Sequence, residues 1–145
     1  MLHLNKLHFI KTMNETILTK KDKLLVINWL IEQFPAAFFK KSSDIKSLQL
    51  GIFEEILDFY ERLESPPFSK KTLREALRYY SHSPAYLKAQ IEGAVRVDLF
   101  GNEVDIVSNE QAKYARQRYL EKYPPTWPLS NAFRSWYKDL QDASN

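Results

Sequence analysis

Lys70, Arg74 and Arg78 follow one another at four-residue intervals within SKKTLREALRYYSHSPAYL, residues 69–87. On an α-helix four residues advance the chain by about 400°, so these side chains drift only ~40° per step and rise about 6 Å each time. The result is one cationic stripe, spaced to suit successive phosphates along a nucleic-acid strand. Two of the three are arginines, whose planar fork matches phosphate oxygens better than an ammonium does. Glu75 is the nearby acid, so the stripe is expected to keep its charge. Read from spacing alone, a solvated helix face accounts for the pattern equally well.

The turn that follows carries a second set of groups. In SHSPAYL, residues 81–87, Ser83 is a natural N-cap and Pro84 occupies the first helical position. A short helix starting there turns free backbone N–H groups and a positive dipole end outward. The hydroxyls of Ser81 and Ser83, the Tyr86 phenol and Arg96 from a later segment are candidates to converge on that point. A terminal phosphate or a ribose hydroxyl fits such chemistry. An ordinary capped helix with a packed tyrosine fits it too.

Catalysis finds little support in the same residues. His82 is the one histidine outside the N-terminal arm, and a serine from the same tight turn would align poorly with it. The glycines are Gly51, Gly93 and Gly101, so no glycine-rich phosphate loop exists. Asp98, Glu103 and Asp105 lack a metal-binding spacing and are expected to solvate strand edges. No catalytic residue, metal site, cofactor or small-molecule substrate is expected.

The elements that must position these groups are mostly helical. Leu24, Leu25, Ile27, Leu30 and Ile31 predict a largely buried helix over residues 20–34, which Pro35 ends. Residues 38–47 read as a polar connection. A second helix is predicted over 48–64, from Ile52, Phe53, Ile56, Phe59, Tyr60 and Leu63 at helical spacing, and Ser65-Pro66-Pro67 breaks it. Ser69 caps a third helix over 70–81 that buries Leu73, Ala76, Leu77 and Tyr80. Alternation around Gly101-Asn102 predicts a β-hairpin within residues 94–107. Ser108 and Gln111 form a capping box for a fourth helix over 109–122. Beyond Tyr123-Pro124-Pro125, Phe133, Trp136, Tyr137 and Leu140 predict a last amphipathic helix from Ser130. The fold class is therefore α+β, mostly helical, with one small hairpin and an added C-terminal helix.

Composition sets outer bounds. The chain has 145 residues, enough for one domain, with 44% hydrophobic and 14% aromatic content and no cysteine. Disulfide and thiolate chemistry are excluded. The longest apolar run, Leu24–Ile31, is far too short to span a bilayer, and residues 1–23 lack the features of a signal peptide. A cytoplasmic, membrane-free protein is expected. Net charge is +3, but it is segregated. Residues 47–68 carry one base against five acids, 69–96 six bases against two acids, and 97–110 four acids and no base. A basic segment between acidic ones is the electrostatic footprint of a nucleic-acid binder.

These residues, together with LQLGIFEEI (residues 48–56), FPAAFF (34–39), GAVRVDLFGN (93–102) and the Ala115-Arg116 pair, resemble the ProQ/FinO family of bacterial RNA-binding proteins. The likeness covers about residues 20–122, flanked by an arm (1–19) and a C-terminal aromatic extension (123–145). It implies a compact ProQ/FinO-like domain that acts as an RNA chaperone in small-RNA regulation and binds a base-paired stem followed by a single-stranded 3′ tail. Its partners would be small RNAs and messenger 3′ ends, bound by a monomer. By this resemblance Lys70, Arg74 and Arg78 contact phosphates, Tyr86 and Arg96 flank the pocket for the RNA's 3′ end, and Arg116 is a basic residue of the following helix. Recognition by shape and end suits RNA, since an A-form stem hides its base edges. Gln49 stands where some members carry lysine, Pro84 replaces a bulky residue, and Phe100 an acidic one. Long basic flanks are missing, so binding is expected rather than strand exchange. The competing reading is a protein-interaction module that docks through Trp127, Phe133, Trp136 and Tyr137.

Overall fold

A computed structural model describes residues 18–124, together with Asp139. The arm up to residue 17 and the aromatic helix expected from Ser130 lie outside the described residues.

Helix α1 (Lys20–Gln33) starts at a capping box in which the Thr19 hydroxyl accepts from Asp22 N–H and the Asp22 carboxylate accepts from Thr19 N–H. Helices α2 (Ile52–Glu61) and α3 (Lys70–Ser81) follow, then the short α4 (Pro84–Ala89) and finally α5 (Asn109–Lys122). Helix α3 has the predicted bounds and the predicted cap, with Ser69 accepting from Thr72 N–H. Helix α5 likewise begins at the Ser108–Gln111 capping box.

The second helix departs from expectation. Residues 48–51 are not helical: Ser47–Leu48 form a strand, β1, and α2 begins only after Gly51, whose φ of +85° is open to glycine and strained for other residues. Strand β1 pairs in parallel with β2 (Val95–Val97), which pairs antiparallel with β3 (Glu103–Ile106). The hairpin is thus part of a three-stranded sheet, ordered β1-β2-β3. Its turn is stapled by Asp98, whose carboxylate accepts from the N–H groups of Phe100 and Asn102. Gly101 sits there at φ +84°, where an added Cβ would come within 2.9 Å of the Ala36 Cβ.

The main core joins α1, α2 and α3 around Leu30, Ile56, Leu73 and Leu77. Phe38 is fully buried in it, so the stretch of residues 38–47 enters the fold as a core anchor and is a polar connection only around the short 3-10 turn at Ser42–Asp44. A second apolar cluster, of Leu87, Ala115 and Tyr119, fastens α4 to α5. Between these two cores the sheet carries an irregularity at Arg96/Val97, and both residues are buried. Val97 enters the main core, while Arg96 reaches the underside of α5. Bulges of this kind re-aim side chains.

Candidate nucleic-acid interface

Between α3, α4, β2 and α5 lies an open pocket of about 410 Å³, lined among others by Ser81, His82, Tyr86, Gln90, Arg96 and Arg118. Two expected site residues are fixed there by the same short strand. Leu48 N–H donates to the Tyr86 hydroxyl at 3.0 Å, and Arg96 Nη1–H donates to Leu48 O at 2.8 Å. Arg96 Nη2–H donates to Gln111 Oε1 at 3.1 Å, the same oxygen that accepts from Ser108 N–H in the cap of α5. Strand β1 and the α5 cap, 48 and 15 residues away in sequence, therefore lock the guanidinium from two sides.

Arg96 is only 4% exposed, yet among the described residues its Nε–H has no hydrogen-bond partner, and neither has the Nε2 donor of Gln90. A buried donor left unmade costs about 1–3 kcal/mol. Both residues line the pocket. Acceptor oxygens on a ligand are the chemistry that would offset this cost, and phosphate and ribose groups are rich in them.

The serines divide. Ser83 spends its hydroxyl on the fold: it donates to Tyr80 O at 2.7 Å and accepts from Tyr86 N–H at 3.2 Å. It positions Tyr86 and does not line the pocket. Ser81 does line it, with its hydroxyl donating to Arg78 O at 3.2 Å.

The cationic stripe lies on α3 with Arg74 and Arg78 exposed. Neither guanidinium has an ion-pair partner among the described residues. Lys70 differs. It pairs with Glu61 at the end of α2, brought back across the Ser-Pro-Pro break, and so its charge is partly neutralised, contrary to the expectation of an unpaired stripe. The hydrogen bond from Lys70, then its charge and that of Arg74, hold the Glu61 carboxyl below its usual range.

The stripe runs into the pocket rim. Partial burial first, and then the charges of Lys122, Arg78 and Arg118, push the His82 imidazole below its ordinary value. One cation from α3 and two from α5 thus share a positive field over a single point of the rim. Arg116, by contrast, does not line the pocket. At about 100° per residue it sits ~200° around α5 from Tyr114, on the opposite flank, with its buried Nε lacking a partner among the described residues. The α5 residues that do line the pocket are Glu110, Gln111, Tyr114, Ala115 and Arg118, so one carboxylate stands among them. Sequence reasoning reads Gln111 only as a cap and passes over Tyr114, Arg118 and Gln90 as site residues. The one signal available was the four-residue spacing of Tyr114 and Arg118, which puts an aromatic and a cation on one helix face.

Among the described residues no group of three or more histidines, cysteines or carboxylates gathers to hold a metal ion. No helix among them is long and apolar enough to cross a membrane.

Known proteins resemble this chain in sequence and in fold. The family model described as the ProQ/FINO family matches residues 20–124. The RNA chaperone ProQ of Pseudoalteromonas atlantica is 41% identical over 96 residues, covering 66% of this chain and 43% of that protein. The RNA chaperone ProQ of Idiomarina loihiensis is 42% identical over 108 residues, covering 74% of this chain and 49% of that protein. The chain thus matches just under half the length of these curated relatives. Among solved structures, the solution structure of a ProQ homolog from Legionella pneumophila superposes with a TM-score of 0.66 at 62% identity, covering 78% of this chain and 93% of that one. A FinO-like RNA chaperone from Neisseria meningitidis shares the fold, with a TM-score of 0.51 at 21% identity over 75% of this chain and 88% of that one. With a family model spanning most of its length and a mostly helical fold of the same kind, this chain belongs to the ProQ/FinO family.

Proposed function

We propose that the domain binds structured RNA at its 3′ end, as an RNA chaperone does, and serves small-RNA regulation in the cytoplasm. Arg74 and Arg78 hold phosphates of the base-paired stem. The terminal nucleotides of a single-stranded 3′ tail enter the pocket above Tyr86 and Arg96. The observation that carries this reading is the pair of unpartnered buried donors, Arg96 Nε and Gln90 Nε2, beside a rim made positive by Arg78, Arg118 and Lys122. Such a site favours an anionic ligand rich in oxygen acceptors and entering end-on. The Tyr86 hydroxyl already accepts from Leu48 N–H, which leaves its own proton to donate.

Lys70 has a smaller part, because binding RNA through it means displacing Glu61. Ser83 acts through Tyr86. Arg116 lies on the far flank of α5 and contacts RNA only if the strand wraps that side. No cofactor is needed for any of these steps.

The experiment compares a hairpin bearing a free 3′ uridine tail with the same hairpin whose terminal hydroxyl carries a phosphate block. End recognition predicts tighter binding of the free end. Equal affinity for both, in protein shown to be folded, removes that half of the reading and leaves sequence-tolerant stem binding.

A further inference from the structure

We propose that Tyr114 and Arg118 form a stacking platform at the pocket mouth, which holds a nucleobase of the single-stranded tail just before its end enters the pocket. This inference rests on the RNA reading above and extends it to Tyr114, a residue that the reading itself does not use.

Tyr114 is 57% exposed, an unusual setting for a large aromatic ring at the edge of a concave site. It is nonetheless held in place. Arg118 lies one turn further along α5, with its Cζ 5.2 Å from the ring centroid and its Nε–H donating to the Tyr114 hydroxyl at 2.8 Å. Both line the pocket whose wall includes Tyr86 and Arg96. An i,i+4 pair on an open helix face adds little to helix stability, so folding alone does not explain a fixed, exposed ring at this rim.

The chemistry favours a base. Every nucleobase presents a π-face, and aromatic rings and arginine planes are the surfaces on which unpaired bases stack. The guanidinium adds attraction to the ring system and a donor for the adjoining phosphate. Its one ion-pair partner among the described residues, Glu121, stands 3.9 Å away with both side chains well exposed, so little of the charge is cancelled. A platform of this kind tolerates sequence, which suits a protein that reads the end of an RNA rather than its letters.

The test uses the full chain and three probes: a hairpin with a uridine tail, the same hairpin with abasic residues in the tail, and the blunt stem. Tyr114→Ala should weaken binding of the uridine-tailed hairpin about 5- to 150-fold, the range found for losing one base–aromatic stack. The loss should vanish on the abasic tail and on the blunt stem, and Tyr114→Phe should bind like the parent. Unchanged binding by Tyr114→Ala, or an equal loss on all three probes, overturns the platform. Base dependence reads the platform, whereas the blocked hydroxyl reads the pocket, so either reading can fail without masking the other.

Discussion

Replacing Arg74 and Arg78 together with alanine should flatten the salt dependence of RNA binding by a predictable amount. Each phosphate neutralised by a cation releases counterions, and the log–log slope falls by about 0.9 per contact on a duplex. Arg74 and Arg78 are exposed and without ion-pair partners among the described residues, so each has a full charge to offer. Two lost contacts give a slope lower by about 1.8. Over a fourfold salt increase that amounts to roughly a 12-fold smaller loss of affinity than the parent shows. Lys70 supplies an internal control, because it is already paired with Glu61. Lys70→Ala should change the slope by less than either arginine variant. The assay is a filter-binding or anisotropy titration against a tailed hairpin at salt steps from 50 to 200 mM. Both arginines sit on the surface, so thermal unfolding should stay within about 0.5 kcal/mol of the parent and show that folding is intact. A double variant with the parental slope would refute the stripe as a phosphate-binding surface.

Two further outcomes test how the site is built. Tyr86→Phe removes the acceptor for the Leu48 N–H and should cost about 1–3 kcal/mol of stability in urea unfolding; no change would mean that β1 does not depend on that bond. His82 is held below its ordinary value mainly by burial and by Lys122, Arg78 and Arg118, so the unfolded chain takes up its proton first. Its contribution to stability is therefore full above about pH 6.5 and is lost as pH falls toward the depressed value. His82→Gln should lose less stability between pH 7 and pH 5 than the parent does, and identical pH profiles would contradict this placement of the imidazole.

What was legible in the sequence was what local chemistry decides. Ser69 before α3, Ser83-Pro84 before α4 and the Ser108–Gln111 pair before α5 each mark a helix start within four residues, and all three caps form. Strand β1 was not legible. Residues 48–52 have apolar spacing that continues the helix pattern, and only pairing with Arg96 and Val97, almost 50 residues later, draws Ser47 and Leu48 into a sheet. The ion pair of Lys70 with Glu61 was hidden for the same reason, since the Ser-Pro-Pro break says that α2 ends without saying where its end returns. Tyr86 and Arg96 stand out in the sequence as candidates, but their shared grip on the Leu48 backbone follows from that unseen strand. Gln90 carries no sequence signal; its place depends on how α4 meets α5.

The pocket formed by Tyr86, Gln90 and Arg96 is proposed to receive the 3′ end of an RNA. Side-chain NMR of Arg96 Nε–H and the Gln90 amide, recorded as a tailed hairpin is added, tests it most directly. Those donors have no protein partner among the described residues, so a free 3′ end should shift both resonances, and the same hairpin with its terminal hydroxyl blocked should leave them near their starting positions. Equal shifts with free and blocked ends, or no shift with either while the RNA is bound, would contradict the claim.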